Sequence, residues 1–571
     1  MELPLLDELK RRRVFRALVA YGIVAFAVLQ ITEPIMHGLR WPDAVLGYVV
    51  VALALGFPIV VGLAWIFDVS AGGIQRTAPE ASATGPRGAR LALLLIGIGL
   101  LAAAPGVTWY FFWRGRDRLL QAPSIAVLPF VNLSGDKENE YFSDGMTEEI
   151  INALAGVEGV RIVARTSAFS FKGRNLDVRK IGEDLNVATV LEGSVRREGS
   201  QLRVSAQLIG VKDGYHLWSR TYDRELKSVF SVEDELARAI VQALRPKLVP
   251  NHALVQQATA SPEAHDLYLK GRYFWNQRTK EGLTKAKAFF EEAIALDPSY
   301  ALAHSGLADS YSLLMDYGGA SAAEVLPRAK AHAVEAVRLD EALAEGHASL
   351  GAISQHDYDW ATAERELKRA IELKPGYATA HQWYAEILWV RGGLPEALAE
   401  AERARQLDPT SLVVNHVRAV TYLLSGDYGR TIEQATSTLE LSPDFVPARA
   451  VLVVACLRTG KFDEALATLD REAGALPFLR VQLLVAKGDR SAARRLLADV
   501  EPRFKTDTLS WMGLAAAHLA LGDIDRTFAW LEQGVEARDQ RLPSAMKWDP
   551  AWSPIRADPR FQKLLRRMNL E

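Results

Sequence analysis

Apolar and polar positions divide the chain into three textures, and the first is apolar. Val14–Ile31, Ala44–Phe67 and Leu91–Phe112 are runs of 18, 24 and 22 residues, the last two without a charge. As helices they would measure roughly 27–36 Å, enough for a hydrocarbon core of about 30 Å. Trp41, Trp65, Trp109, Tyr110 and Trp113 sit near the ends, as interfacial aromatics do. The pattern predicts three transmembrane α-helices, at about 14–31, 44–67 and 91–112, within a membrane region of 14–120. Lys10, Arg11, Arg12, Arg13 and Arg16 would hold residues 1–13 in the cytoplasm. Arg76, Arg87 and Arg90 suit a cytoplasmic second loop, while Arg114, Arg116 and Arg118 argue against an external third end. Ala25-Phe-Ala27 looks like a signal cleavage site, but apolar residues continue to Ile31 and two more runs follow. The expectation is a multi-pass inner-membrane protein with its C-terminal domains in the periplasm.

From Ser124 the period changes. Ser124–Phe130 is a short β-rich run, and Glu140–Leu154 has helical spacing at Met146, Ile150, Ile151 and Leu154. A strand at Arg161–Ala164 and a helix at Val178–Leu185 follow. Ala188–Arg196 and Gln201–Val211 alternate on either side of Arg197-Glu-Gly-Ser200, which predicts a β-hairpin. A strand at His216–Tyr222 and an amphipathic helix at Val229–Leu244 complete a small α/β domain over 121–250.

The order of Ile125-Ala-Val-Leu-Pro-Phe130, Tyr141-Phe-Ser-Asp-Gly-Met-Thr-Glu-Glu-Ile150, Val190-Leu-Glu-Gly-Ser-Val-Arg196 and Leu217-Trp-Ser-Arg-Thr-Tyr-Asp223 resembles the TolB-like (FlgO-like) domain. The resemblance covers most of 121–250. It implies a periplasmic, non-catalytic interaction or sensing domain, set in that family between a membrane segment and a repeat array, or behind cyclase or DNA-binding domains. About a dozen residues precede the first apolar run, so a cyclase or DNA-binding output is expected on a separate protein.

The third texture repeats. Pro375, Pro409, Pro443 and Pro477 end amphipathic helices at a spacing of 34 residues, the tetratricopeptide period. Counting back from Pro375 finds Ala370, Ala363 and Gly351; from Pro409 it finds Ala404, Ala397 and Ala385. From Pro443 and Pro477 the match weakens, to Thr438, Thr431 and Ala419, then Glu472, Ala465 and Val453. Small residues belong where the two helices of a repeat cross closely. Gly392-Gly393, Gly426-Asp427, Gly460-Lys461, Gly488-Asp489 and Gly522-Asp523 mark tight connections. About eight repeats are expected over 264–541, near 264–300, 301–343, 344–377, 378–411, 412–445, 446–477, 478–506 and 508–541. Lys547–Leu570, within a segment 542–571, is expected to cap the last repeat.

Composition narrows the chemistry. Sixty-seven basic against 69 acidic residues leave a net charge of −2, so no nucleic-acid partner is expected from bulk charge. The one cysteine, Cys456, excludes an intrachain disulfide and a cysteine-rich metal site. His304, His347 and His381 fall at one position of successive repeats, so they recur because the repeat recurs, not as a metal set. Asn132–Glu140 is acid-rich but lacks the spacing of a calcium loop. Asp144, Glu148 and Glu149 open a helix, where carboxylates favour its dipole. No Gly-x-Ser-x-Gly elbow, phosphate loop or His-Glu-x-x-His helix occurs. No catalytic residue, metal or cofactor is expected.

Stacked repeats leave a concave surface that suits peptides or protein segments. Gln382, Glu386 and Trp389 share one helix face at i, i+4, i+7, with His416 beside them on the next repeat, forming a candidate protein-binding groove. Trp389 has two readings, an interface anchor or packing within the solenoid. The fold class is multidomain: transmembrane helices, a TolB-like α/β domain and an all-α solenoid. The function expected is a membrane-anchored protein-binding scaffold, not an enzyme. The alternatives are a sensory component with a separate output protein and an envelope-acting enzyme.

Overall fold

The computed structural model describes residues 21–28, 53, 56–57, 67–70, 73–76, 123–225, 229–244, 254–255, 257–318, 320–471, 474, 476–504 and 511–570. It divides into two units, Met1–Ala122 and Pro123–Glu571.

In the first unit, residues 21–28 are helical. Strand β1 (Phe67–Ser70) pairs antiparallel with β2 (Gly73–Arg76), Phe67 opposite Arg76. Among the described residues no helix is long and apolar enough to cross a membrane. This overturns the expected transmembrane helices, and with them the multi-pass inner-membrane location and the periplasmic C-terminal domains that rested on them. Crossing a hydrocarbon core of about 30 Å takes an unbroken apolar helix of about 20 residues, and no described helix meets that requirement. Phe67, expected to end the second span, instead opens a strand. The expected span 91–112 and most of 14–31 and 44–67 lie outside the described residues.

The second unit is mostly helical with one small sheet. Strands β3 (Ser124–Val127), β4 (Val131–Asn132), β5 (Arg161–Ile162), β6 (Thr189–Glu198), β7 (Gln201–Gly210) and β8 (His216–Glu225) form a sheet of order β5-β3-β6-β7-β8, with β4 also beside β6. β3 runs parallel to β5 and β6, and every one of its residues is buried, as its continuous apolar run requires. β6, β7 and β8 form an antiparallel meander, in which Leu202, Val204, Ala206 and Leu208 point inward with the period of two. Helices α1 (Glu140–Ala155), α2 (Arg165–Phe169), α3 (Val178–Asp184) and α4 (Val229–Leu244) accompany the sheet. The five-residue α2 is too short to show a helical period in the sequence.

The helical array follows in antiparallel pairs. These are α5 (Pro262–Trp275) with α6 (Lys280–Leu296), α7 (Ala301–Gly318) with α8 (Ala322–Leu339), and α9 (Ala344–His356) with α10 (Trp360–Leu373). Next come α11 (Ala378–Arg391) with α12 (Leu394–Leu407), and α13 (Leu412–Leu424) with α14 (Tyr428–Leu441). The last are α15 (Val446–Arg458) with α16 (Phe462–Asp470), α17 (Pro477–Ala486) with α18 (Arg490–Val500), and α19 (Trp511–Leu521) with α20 (Ile524–Glu536). Within α9 and α10 the crossing is so close that a Cβ on Gly351 would lie 2.6 Å from Cγ of Leu367. The connections divide their labour: Gly426 takes a φ of +75°, and Asp427 then caps α14 by accepting from Arg430 N–H.

The tail, α21 (Arg541–Trp548) and α22 (Pro559–Arg567), packs on the last pair through Arg560, which meets Asp525 at 2.8 Å and lies 4.1 Å over the Phe528 ring. It also reaches much earlier repeats. Trp360 donates its indole N–H to Met568 O at 2.7 Å, and Asn569 donates to Tyr358 O at 3.0 Å. Trp552, Phe561 and Met568 thereby join one buried cluster with Trp360 and Leu367. The α/β region likewise shares its core with α5–α8, through Phe142, Leu269, Phe290 and Ala329 among others.

Candidate functional site

Gln382, Glu386 and Trp389 all lie on α11, and Gln382 Nε2 donates to Glu386 Oε1 at 3.1 Å. Trp389 is half-buried against Ala385, Ala401 and Val417. Its indole N–H donates to Thr421 Oγ1 of α13 at 2.9 Å, and Thr421 in turn donates to Val417 O at 2.8 Å. Its backbone carbonyl accepts from Trp548 Nε1 of the tail at 2.6 Å. Trp389 thus ties two repeats and the tail together; Thr421 and Trp548 have no sequence signal linking them to it. His416, on α13, is half-buried and lies edge-on to Phe445 at 6.1 Å. Burial pushes its pKa down to about 4, so the ring is neutral at pH 7.

The recurrent histidines form a repeating brace. Nε2 of His304, His347 and His381 donates to Pro298 O, Glu341 O and Pro375 O at 3.2, 3.0 and 3.0 Å. Asn415 and Arg449, at the same register, donate to Pro409 O and Pro443 O at 2.8 and 3.3 Å. Each carbonyl lies six residues earlier, in the turn entering the repeat. The other histidine nitrogen faces the second helix of the pair: His332 at 3.0 Å, Glu366 at 2.7 Å and Glu400 at 2.6 Å. Gln434 does the same for Asn415 at 3.1 Å. Among the described residues no group of three or more His, Cys, Asp or Glu is arranged to hold a metal.

A cleft of about 680 Å³ opens between α12, α13 and α14, with Asp184 of α3 at its edge. Arg418 and Arg430 stand 5.3 and 5.6 Å from the ring centre of Tyr422, one on α13 and the other on α14. Such contacts hold guanidinium groups in place and favour a planar or anionic guest. Glu402 joins Arg405 at 2.7 Å and Arg418 at 3.0 Å. Burial works against the Glu402 charge, but the hydrogen bond and charge of Arg405, aided by Arg418, keep its pKa below the usual carboxylate range. Arg430, Glu433 and Ser437 on the rim are exposed.

The α/β region is fastened to the array by ion pairs. Glu148 Oε2 meets Arg165 at 2.9 Å and Asn276 at 3.1 Å, while Glu148 Oε1 accepts from Arg272. Lys172 bridges Asp144 and Glu140 at 2.6 Å each. Burial opposes ionisation of Glu148, yet Arg272 and Arg165 outweigh it and hold its pKa low. Of the helix-opening carboxylates read from the sequence, Asp144 and Glu148 therefore have specific cationic partners, on α2 and α5 or just beyond α2, whereas burial and the neighbouring Glu148 push Glu149 up to about 7. Backbone bonds from Ala164 N to Leu407 O at 2.7 Å and from Gly376 N to Ala155 O at 3.1 Å add to the same contact.

Residues 359–411 and 422–487 match tetratricopeptide-repeat families. The chain is 43% identical over 187 residues to putative adenylate cyclase 3 of Rhizobium meliloti (strain 1021), covering 32% of each protein. It is 22% identical over 312 residues to transcriptional regulator HilA of Salmonella typhimurium, covering 53% of this chain and 54% of that one. The chain thus spans about a third and about half the length of these curated relatives. Among solved structures, it is 19% identical to a thermophilic tetratricopeptide protein of Thermus thermophilus, with a TM-score of 0.30, covering 34% of this chain and 99% of that one. For PilF of Pseudomonas aeruginosa the identity is 18% and the TM-score 0.28, covering 36% and 95%. The array consists of tetratricopeptide repeats, which imply a protein-interaction scaffold with a protein or peptide partner.

Proposed function

We propose that the chain is a non-catalytic scaffold that holds a segment of a partner protein in the cleft between α12, α13 and α14. The observation that carries this reading is the cleft itself, where Arg418 and Arg430 flank Tyr422 and exposed polar residues form the rim. The cleft is of the size of ligand-binding sites, and its lining is mainly charged and polar, which suits a polar segment of a partner. On this reading the Gln382–Glu386 face of α11 with Trp389 and His416 supports the neighbouring repeats. The α/β region is a TolB-like domain that serves as a second contact surface.

The test uses the full chain. Peptides enriched from a random display library are titrated against wild type, Arg430→Glu and Ser437→Arg by fluorescence anisotropy. Both substituted positions are exposed, but Arg430→Glu also gives up its contacts with Tyr422 and Asp427, so a thermal melt of each variant accompanies the titration and Ser437→Arg carries the comparison if Arg430→Glu is destabilised. Affinity should fall at least about tenfold in the variants. Equal affinity in all three proteins removes the cleft from consideration.

A second reading is a sensory component whose cyclase or DNA-binding output is a separate protein. The similarity to putative adenylate cyclase 3, and to HilA, favours it. It requires a cyclase or DNA-binding protein among partners cross-linked to wild type and lost in Arg430→Glu.

A further inference from the structure

Strand β8 ends the sheet, and no described strand pairs with its outer side. It is ten residues long and almost wholly exposed; only Tyr222 is buried and Trp218 half-buried. A long open edge offers a row of backbone donors and acceptors to another strand. β8 contains no proline to blunt it, and its bulge, Leu217 left unpaired between His216 opposite Ile209 and Trp218 opposite Leu208, lies at its N-terminal end, outside the stretch Trp218–Arg224. The charges along β8 therefore decide what can pair there.

We propose that β8 is an interface for a second copy of this chain, two β8 strands pairing antiparallel about a two-fold axis at Thr221 so that the two sheets become one. Side chains directly opposite in an antiparallel pair share a face. With Thr221 opposite Thr221, Trp218 meets Arg224, two cation–aromatic pairs per dimer when both halves are counted, and Arg220 stands opposite the buried Tyr222. On the other face Ser219 meets Asp223, a hydroxyl donor against a carboxylate. No like charges oppose one another. Sliding the pairing by one step either way, while keeping the faces matched, puts Arg220 against Arg220 or against Arg224. The neighbouring registers are thus penalised, and this one is selected. Arg224 already lies along the edge, 3.2 Å from Glu235 of α4, and Arg203 of β7 holds Asp223 at 2.6 Å. These two neighbours steady the pairing groups before a second strand arrives.

One strand pair is a small interface, so association should be reversible and concentration-dependent. Sedimentation equilibrium of the full-length protein tests it, using wild type, Thr221→Arg and Thr221→Glu. Thr221 is exposed, so neither substitution should disturb the fold. Wild type should dimerise, and each variant alone should associate at least about tenfold more weakly, because it sets like charges at the axis. An equimolar mixture of the two variants should dimerise again, which folding damage could not produce. A wild type that stays monomeric overturns the proposal. So do variants that dimerise as wild type does, and a mixture that fails to recover association.

Discussion

Asp408 accepts two hydrogen bonds from Ser167, from its backbone N–H at 2.9 Å and from its hydroxyl at 2.5 Å, across 241 residues of sequence. Ser167 Oγ also accepts from Thr410 N–H at 2.8 Å. Through these bonds α2 of the α/β region is fixed to the turn between α12 and α13. Burial pushes the Asp408 carboxyl up to about 6, in spite of the bonds from Ser167. A carboxyl raised on folding contributes stability that is fully present below about pH 4 and lost as pH rises through about 6. Asp408→Asn keeps an acceptor and removes the titration. Between pH 4 and pH 8 wild type should therefore lose up to roughly 3 kcal/mol relative to the variant, read by chemical denaturation at both pH values. An unchanged difference would show that the carboxylate is solvated in the folded protein.

His356 carries the opposite linkage. Burial at the end of α9 pushes it down to about 4, with Asp357 and Arg538 nearby, while Ser312 Oγ of α7 lies 3.3 Å from Nε2. A histidine depressed on folding contributes stability that is present above about pH 6.5 and lost as pH falls through about 4. His356→Gln should reduce the loss of stability between pH 7 and pH 4 by up to roughly 3 kcal/mol. Urea titrations at the two pH values measure it. Because Asp408 and His356 act in opposite directions over the same range, the pH profile of wild type alone would hide both.

Two glycines should respond in opposite ways to the same substitution. Gly351→Ala forces a Cβ to 2.6 Å from Leu367 Cγ, so it should cost about 1–3 kcal/mol even though alanine favours a helix. Gly429→Ala, in the exposed first turn of α14, meets only Asp427 Oδ1 at 3.7 Å and should gain up to about 1 kcal/mol. Thermal melts of the two variants decide it.

The parts legible in the sequence are those encoded by neighbours along the chain. The 34-residue proline spacing, Ala363, Ala370, Ala397 and Ala404 at the helix crossings, and the Gly-Asp connections all act within one repeat. All four alanines are fully buried. The alternation of β7 was legible for the same reason, since a period of two needs no knowledge of the partner strand. The candidate groove was legible only as a register. Which neighbour each side chain meets was not: Trp389 turns to Thr421 and receives Trp548, 159 residues away. Glu148 finds Arg272 at a separation of 124. Such partners are brought together by the packing of distant elements, α1 on α5 and the tail helix α21 on α11, and local spacing carries no record of it. The apolar N-terminal runs show the converse limit. Composition and run length suggested spans, and among the described residues no helix is long and apolar enough to cross a membrane. Hydrophobic content is read from the sequence; an unbroken helix of about 20 residues is a property of backbone conformation.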